Sequence, residues 1–403
     1  MKIVVDTNVP AAEACFGALG EVIRVPGREI EPATLAEADA LVVRSITRVD
    51  AALIEQARGA GSPLRFVGTC TIGTDHVDQQ ALADHDIAFA SAPGCNADAV
   101  VDYVLSSLST LAERQDFRLA ERRVGIVGVG NVGGRLLERL TAMGIDCLAC
   151  DPPRVEAESI EAEGLAGFHD LDTLIDECDV LCLHTPLVSE GPHATRHLLD
   201  AQRLAALAPG TLLLNAGRGD CVDGRALRQR LAGQGDITAV LDVWEQEPAI
   251  DAALADLAAI ATPHIAGYSL DGKLRGTHRI YRALAHHVGL PSRLTLEDLA
   301  PAPPVARLVL EAGLSPEEAL RLCLRAVYDP RRDHDSLHRE ARRQGMAKGF
   351  DACRARYPLR REAASLELVL GEGARELEPL LAGAGFQVRS ELQAPSAERP
   401  AVR

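Results

Sequence analysis

The sequence predicts an α/β protein of two doubly wound parallel-sheet domains and a smaller C-terminal α+β domain. Short apolar runs alternate with helical stretches over most of the chain. One of these runs, Val124–Val127, enters the glycine-rich turn Gly128-Val129-Gly130-Asn131-Val132-Gly133 and then a helix. A proline-rich stretch at 300–304 separates these units from a region of different texture. At 403 residues the chain is also too long for one ordinary core.

In the first 95 residues strands are expected at 3–5, 40–43, 66–68 and 87–90, each an apolar run closed by polar or turn residues. From 97 to about 112 the period changes, with Val100, Val101, Val104, Leu105, Leu108 and Leu111 recurring at helical steps. A second α/β unit starts at Arg123, with strands expected at Val124–Val127, 146–150, 180–184, 211–215, 237–241 and 260–261 and a helix at 133–143. Strands separated by helices close most simply as a doubly wound sheet. The segment after Gly267 reads as helix to about 288. Beyond the linker, Ser315 with Glu318 three residues on signals a helix over 315–327. A mixed basic and acidic segment follows at 329–343, and Leu366, Leu368 and Leu370 alternate as on one face of a strand.

Hydrophobic residues make up 47% of the chain and charged residues 25%, enough for substantial cores. The formal net charge of −16 repels nucleic acid and anionic lipid, so neither is expected as a partner. It also obliges any site for an anion to gather arginines and helix N-termini against the global field. Met1 to Asp6 reads as a strand, with Asp6 arriving before a secretory leader could form. No apolar run approaches the ~18 residues of a membrane span. Ten scattered cysteines, including Cys147-Leu148-Ala149-Cys150, read as thiols in a reducing cytoplasm. Cys70 with His76, or His286-His287, lacks metal-ligand spacing, so no metal is expected.

The glycine-rich turn follows a strand and opens a helix, the context a dinucleotide site requires. Gly128, Gly130 and Gly133, with Asn131 and Val132 between them, would bring backbone N–H groups to a pyrophosphate at the helix N-terminus. Asp151, about 20 residues on, can accept hydrogen bonds from the adenosine ribose and would repel a 2′-phosphate, which favours NAD. Arg218, Glu247 and His264 each fall just after an expected strand, at the sheet edge where α/β proteins bind ligands. Oxidising a carbinol carbon needs a base for the hydroxyl proton, which His264 supplies and Glu247 orients. Arg218 can hold a substrate carboxylate by two charge-assisted bonds.

Taken in order, the glycine turn, Asp151, Asn215-Ala216-Gly217-Arg218-Gly219, Asp242-Val243-Trp244-Glu245-Gln246-Glu247-Pro248 and Thr262-Pro263-His264-Ile265-Ala266-Gly267 resemble the D-isomer-specific 2-hydroxyacid dehydrogenase family. The resemblance covers roughly residues 1–290 and implies two Rossmann-like domains. By it, 1–95, completed by 268–290, is the substrate (lid) domain and 96–267 the NAD-binding domain. It makes His264 the acid/base, Glu247 its partner and Arg218 the carboxylate clamp, and puts Asp151, Thr185, Asp242 and Gly267 at the NAD site.

Within the family, three stretches look closest to the branch that oxidises 4-phospho-D-erythronate in pyridoxal 5′-phosphate biosynthesis. They are 42–47 with 66–78, 92–97, and 262–268 followed by Asp271-Gly272-Lys273. That likeness implies a small phosphorylated 2-hydroxy acid as substrate, touched by Ser45, Thr71 and Tyr268, and Arg44 could add charge for the phosphate. The segment 291–385 resembles that branch's dimerisation region, implying a homodimer in which Arg331 and Arg332 are candidates to reach a partner's site. Residues 386–403, rich in Ala, Pro, Ser and charge, read as a disordered tail. Two other readings stay open: a family member acting on 3-phosphoglycerate, lactate or glycerate, and an NAD-sensing corepressor-like scaffold of the same fold.

Overall fold

In the strand Lys2–Asp6 (β1) successive side chains fall on opposite faces, and both faces are apolar. Val4 joins a core with Leu41, Val43, Val67, Leu53 and Leu82, whereas Ile3 and Val5 join another with Ala40, Val42, Phe66, Ile280 and Leu284. Strands buried on both faces belong to a parallel sheet with helices on each side. That is the arrangement found: Glu21–Val25 (β2), Ala40–Val43 (β3), Phe66–Thr69 (β4) and Ala88–Ala90 (β5) complete a sheet of order β2-β1-β3-β4-β5, every pair parallel. The helix Leu270–His287 supplies Ile280, Tyr281, Leu284 and Ala285 to this sheet's core.

The second sheet holds Val124–Val127 (β6), Cys147–Cys150 (β7), Val180–Leu183 (β8), Leu212–Asn215 (β9), Thr238–Leu241 (β10) and Ile260–Ala261 (β11), in the order β11-β10-β9-β8-β6-β7. All its pairs are parallel. Strand order reverses beside β6, which opens a crevice at the C-terminal ends of β6 and β8. On β7, burial pushes the thiols of Cys147 and Cys150 up to about 12 and about 11, so neither is a nucleophile at neutral pH.

The computed structural model describes residues 1–159 and 167–390. The chain divides into two compact units, Met1–Ala99 with Gly267–Ala302, and Val100–Ala266 with Pro303–Arg403. The C-terminal segment has its own parallel sheet, Arg307–Leu310 (β12), Glu367–Leu370 (β13) and Gln387–Ser390 (β14), in the order β12-β13-β14. Leu366, Leu368 and Leu370 are fully buried, as their alternation predicts. This segment nevertheless groups with the second sheet, because Leu337 and Phe350 from its helices are buried in that sheet's core. The expected tail at 386–403 is corrected at its start: residues 387–390 pair with β13 as a strand, and 391–403 lie outside the described residues. Among the described residues no helix is long and apolar enough to cross a membrane.

One buried ion pair ties the second unit together. Asp102, on the helix Ala97–Gln115, accepts from Arg139 Nη1 at 2.9 Å and from the Ala363 N–H at 2.8 Å. Arg139 also donates to the Ala384 carbonyl at 2.8 Å. Removing one partner leaves the other charge uncompensated in the interior, so Asp102→Ala is expected to destabilise the second unit by about 3–5 kcal/mol in urea unfolding.

Candidate active site

Gly128 directly follows β6 and takes φ 85°, a left-handed conformation that glycine enters freely. A Cβ there would lie 2.9 Å from the Thr185 nitrogen, on the loop after β8. A Cβ on Gly133 would lie 1.9 Å from the Gly128 carbonyl oxygen, so only glycine lets the helix Asn131–Ala142 seat against the turn. At Gly130, the N-cap, a side chain would meet nothing within 4 Å. Asn131 is exposed and Val132 half-buried in the first turn. Open space over the first-turn N–H groups of a helix fits a dinucleotide pyrophosphate.

Asp151 follows β7, and its Oδ2 accepts from the Val129 N–H at 2.7 Å. Arg154 braces the same turn, donating to the Val129 carbonyl at 3.0 Å. The acid expected to meet ribose hydroxyls therefore also fixes the glycine turn. Thr185 is buried beside Gly128, with its hydroxyl donating to Cys221 Sγ at 3.3 Å. Gly267 has a packing reason within the first unit, since a Cβ there would strike Asn96 Nδ2 at 2.2 Å.

The chemistry-bearing loops follow β9, β10 and β11, which are neighbours in the sheet. His264 Nδ1 and Glu247 Oε2 are 2.8 Å apart. Glu247 Oε1 accepts from the Trp244 N–H at 2.9 Å, and Trp244 Nε1 donates to the Thr262 carbonyl at 2.9 Å. Burial pushes the Glu247 carboxyl up, but the charge and hydrogen bond of His264 outweigh it and hold the group below its usual range. An ionised Glu247 keeps the proton on Nδ1 and leaves Nε2 as the accepting nitrogen. Arg218 sits in a loop pinned by Asn215, whose Nδ2 donates to the Arg218 carbonyl at 2.9 Å. A Cβ on Gly219 would lie 2.0 Å from the Trp244 carbonyl carbon, so the Arg218 loop and the Glu247 loop touch.

Asp242, expected at the NAD site, has a structural task that the sequence did not suggest. It is 1% exposed, and its carboxylate accepts from Thr262 Oγ1 at 2.6 Å and from the N–H groups of Ile265 at 2.8 Å and Ala266 at 2.9 Å. His264 takes φ 55°, an uncommon conformation for a residue with a Cβ. The Asp242 anchors hold the loop in which that conformation persists.

In the first unit, Arg44 follows β3, and its Nη1 is buried with no hydrogen-bond partner among the described residues. Ser45 beside it is exposed. Thr71 donates to the Gly73 carbonyl at 2.9 Å and its hydroxyl lies 2.7 Å from that of Thr69. Lys273, on the first turns of the helix Leu270–His287, places its Nζ 4.8 Å from the ring centre of half-buried Tyr268. Burial, and then repulsion by Arg44, lower the Lys273 ammonium to about 8. Two cations thus share a partly desolvated region, which suits an anion. Lys273 closes the Asp271-Gly272-Lys273 stretch, where the sequence assigns it no role. A lysine near a helix N-terminus, where positive charge is disfavoured, was the available signal. Arg331 and Arg332 are engaged inside their own segment, with Asp329 and Asp333 respectively.

The glycine cradle generates a direct expectation. Gly133→Ala should displace the helix start and raise the Kd for NADH by at least about tenfold in fluorescence titration.

Residues 103–266 match the model of the D-isomer specific 2-hydroxyacid dehydrogenase NAD binding domain, and residues 299–382 match a domain of unknown function. Erythronate-4-phosphate dehydrogenase of Chromohalobacter salexigens is 58% identical over 389 residues, covering 96% of this chain and 99% of that protein. The enzyme of the same name from Azotobacter vinelandii is 53% identical, covering 96% of this chain and 100% of its own. The NAD+-bound 3-phosphoglycerate dehydrogenase of Entamoeba histolytica shares the fold, with a TM-score of 0.59 at 20% identity over 73% of this chain and 98% of that one. The chain belongs to the erythronate-4-phosphate dehydrogenases, within the NAD-binding D-isomer-specific 2-hydroxyacid dehydrogenase family.

Proposed function

We propose that the chain oxidises C2 of 4-phospho-D-erythronate to (R)-3-hydroxy-2-oxo-4-phosphooxybutanoate, a step of pyridoxal 5′-phosphate biosynthesis. The observation that carries this reading is the 2.8 Å contact between His264 and the ionised Glu247. NAD, when bound, supplies the acceptor for the hydrogen and electron pair leaving C2. His264 Nε2 takes the hydroxyl proton, and Glu247 stabilises the imidazolium that results. Arg218 holds the C1 carboxylate and so orients C2. Gly128, Gly130 and Gly133 with Asp151 hold the cofactor, with Thr185, Asp242 and Gly267 close to it.

The phosphate is assigned to Arg44, Ser45, Thr71 and Tyr268, with Lys273 as an added cation. A lactate-type substrate would leave Arg44 and Lys273 facing each other without an anion, which favours a phosphorylated one. Remote binding energy from the phosphate can position the reacting end, so its loss should lower kcat as well as affinity. The chain is further read as a cytoplasmic homodimer. Val309, Leu322 and Leu359 of the C-terminal segment are about half exposed, an apolar surface that a second copy could cover.

His264→Ala should lower kcat by a factor on the order of 10²–10⁴ with NADH affinity little changed, and Arg218→Lys should raise KM as well as lower kcat. Near-normal kcat in the first variant would remove His264 as the base. Across 4-phosphoerythronate, 3-phosphoglycerate, erythronate and lactate at equal ionic strength, the first should lead in kcat/KM by at least about tenfold. A match by 3-phosphoglycerate or lactate would reject the substrate. Lys273 is charged below about 8 and neutral above it, so KM for the phosphorylated substrate should rise as pH climbs through that value. Lys273→Met should flatten that rise, and an unchanged profile would take Lys273 out of the phosphate site. Leu322→Asp with Leu359→Asp should yield monomer in sedimentation if these side chains meet a second copy.

A further inference from the structure

The loop that carries His264 is gripped from both sides. On its N–H side, the Asp242 carboxylate accepts from Ile265 and Ala266. On its C=O side, Arg360 Nη1 donates to the carbonyls of the same two residues, at 3.4 Å to Ile265 and 3.0 Å to Ala266. Arg360 lies some hundred residues downstream, in the C-terminal segment, and is 2% exposed. A second contact comes from the helix Pro330–Gln344, where His334 Nδ1 accepts from the Ala261 N–H at 3.0 Å. Burial and the neighbouring His338 lower the His334 imidazolium, so a neutral ring with an accepting nitrogen is the expected form.

We propose that the C-terminal segment positions the base: Arg360, and secondarily His334, hold the 261–266 backbone so that His264 keeps its left-handed conformation and its bond to Glu247. The guanidinium is itself held in place. It stacks 3.7 Å from the ring centre of Tyr328, whose hydroxyl donates to Asp333 at 3.0 Å, and Tyr357 donates to the same carboxylate oxygen at 2.7 Å. Removing a guanidinium from water is costly, and an apolar side chain of like volume would fill the space as well. What the apolar side chain could not do is donate to the two loop carbonyls. Those carbonyls belong to the residues directly after His264, so a shift there moves the imidazole. No reacting atom is assigned to Arg360. It is a positioning residue that acts through His264, and the inference rests on His264 being the base.

The test is a double-mutant cycle on the full-length enzyme, read in kcat, NADH Kd and thermal midpoint. Arg360→Met should lower kcat by about 10- to 100-fold with NADH Kd within about twofold, because the loop loses its carbonyl ligand while the glycine cradle is untouched. Arg360→Lys, which keeps a cation with one donor, should recover part of that loss. In a His264→Ala background, Arg360→Met should change kcat by less than about twofold, since a residue acting through the imidazole has nothing left to position. Equal fold losses in both backgrounds, or an unchanged kcat in a folded Arg360→Met enzyme, would overturn the proposal. If Arg360→Met does not fold, Arg360→Lys and His334→Ala take its place in the same cycle, judged by the same non-additivity. A His264→Ala enzyme of normal kcat would instead reject the base assignment, a separate outcome.

Discussion

A single hydrogen bond, 2.8 Å between Glu247 and His264, is the contact on which the proposed chemistry depends. The two residues are 17 positions apart on loops after neighbouring parallel strands, β10 and β11. Parallel pairing sends every such loop to the same edge of the sheet, so three separate sequence motifs meet there without any local instruction to do so. Trp244 then sets the finer distances. Its backbone N–H orders the Glu247 carboxylate, its indole ties the Thr262 carbonyl, and its own backbone leaves room for Gly219 and nothing larger.

That bond has to be held in a strained loop. His264 sits at φ 55°, and the loop around it is fixed by a buried carboxylate and a buried guanidinium rather than by its own propensity. Burial raises the pKa of Asp242, yet three donors converge on its oxygens. Interior charges of this kind contribute little net stability, because desolvation offsets much of the attraction. Their value lies in specifying one geometry, which the base role proposed for His264 needs more than it needs stability.

What was legible in the sequence follows from burial. Strands covered on both faces, such as β3 and β6, are continuous apolar runs and were readable to within a residue or two. The strands missed, β2, β12 and β14, all lie at sheet edges, where one or both faces meet solvent and the run is broken by Glu21, Arg24, Arg307 and Arg389. Arg218, Glu247 and His264 were legible as candidates because each lies on a loop that follows a strand. Arg360 and the loop-anchoring task of Asp242 were not, since their partners are backbone atoms of distant residues and leave no spacing to read. Lys273 left one signal, its place near a helix N-terminus, but the burial and the distant Arg44 charge that lower its ammonium leave no spacing to read.

An ionised Glu247 beside His264 sets the tautomer of the ring, with the proton on Nδ1 and Nε2 left to accept. Nitrogen-15 NMR of the histidine-labelled enzyme, with His264 assigned by comparison with His264→Ala, reads this directly from the ring-nitrogen shifts and two-bond couplings. A protonated Nδ1 and a bare Nε2 are expected in the neutral ring, with the preference lost in Glu247→Gln. A neutral ring carrying its proton on Nε2, or a tautomer indifferent to Glu247→Gln, would contradict it.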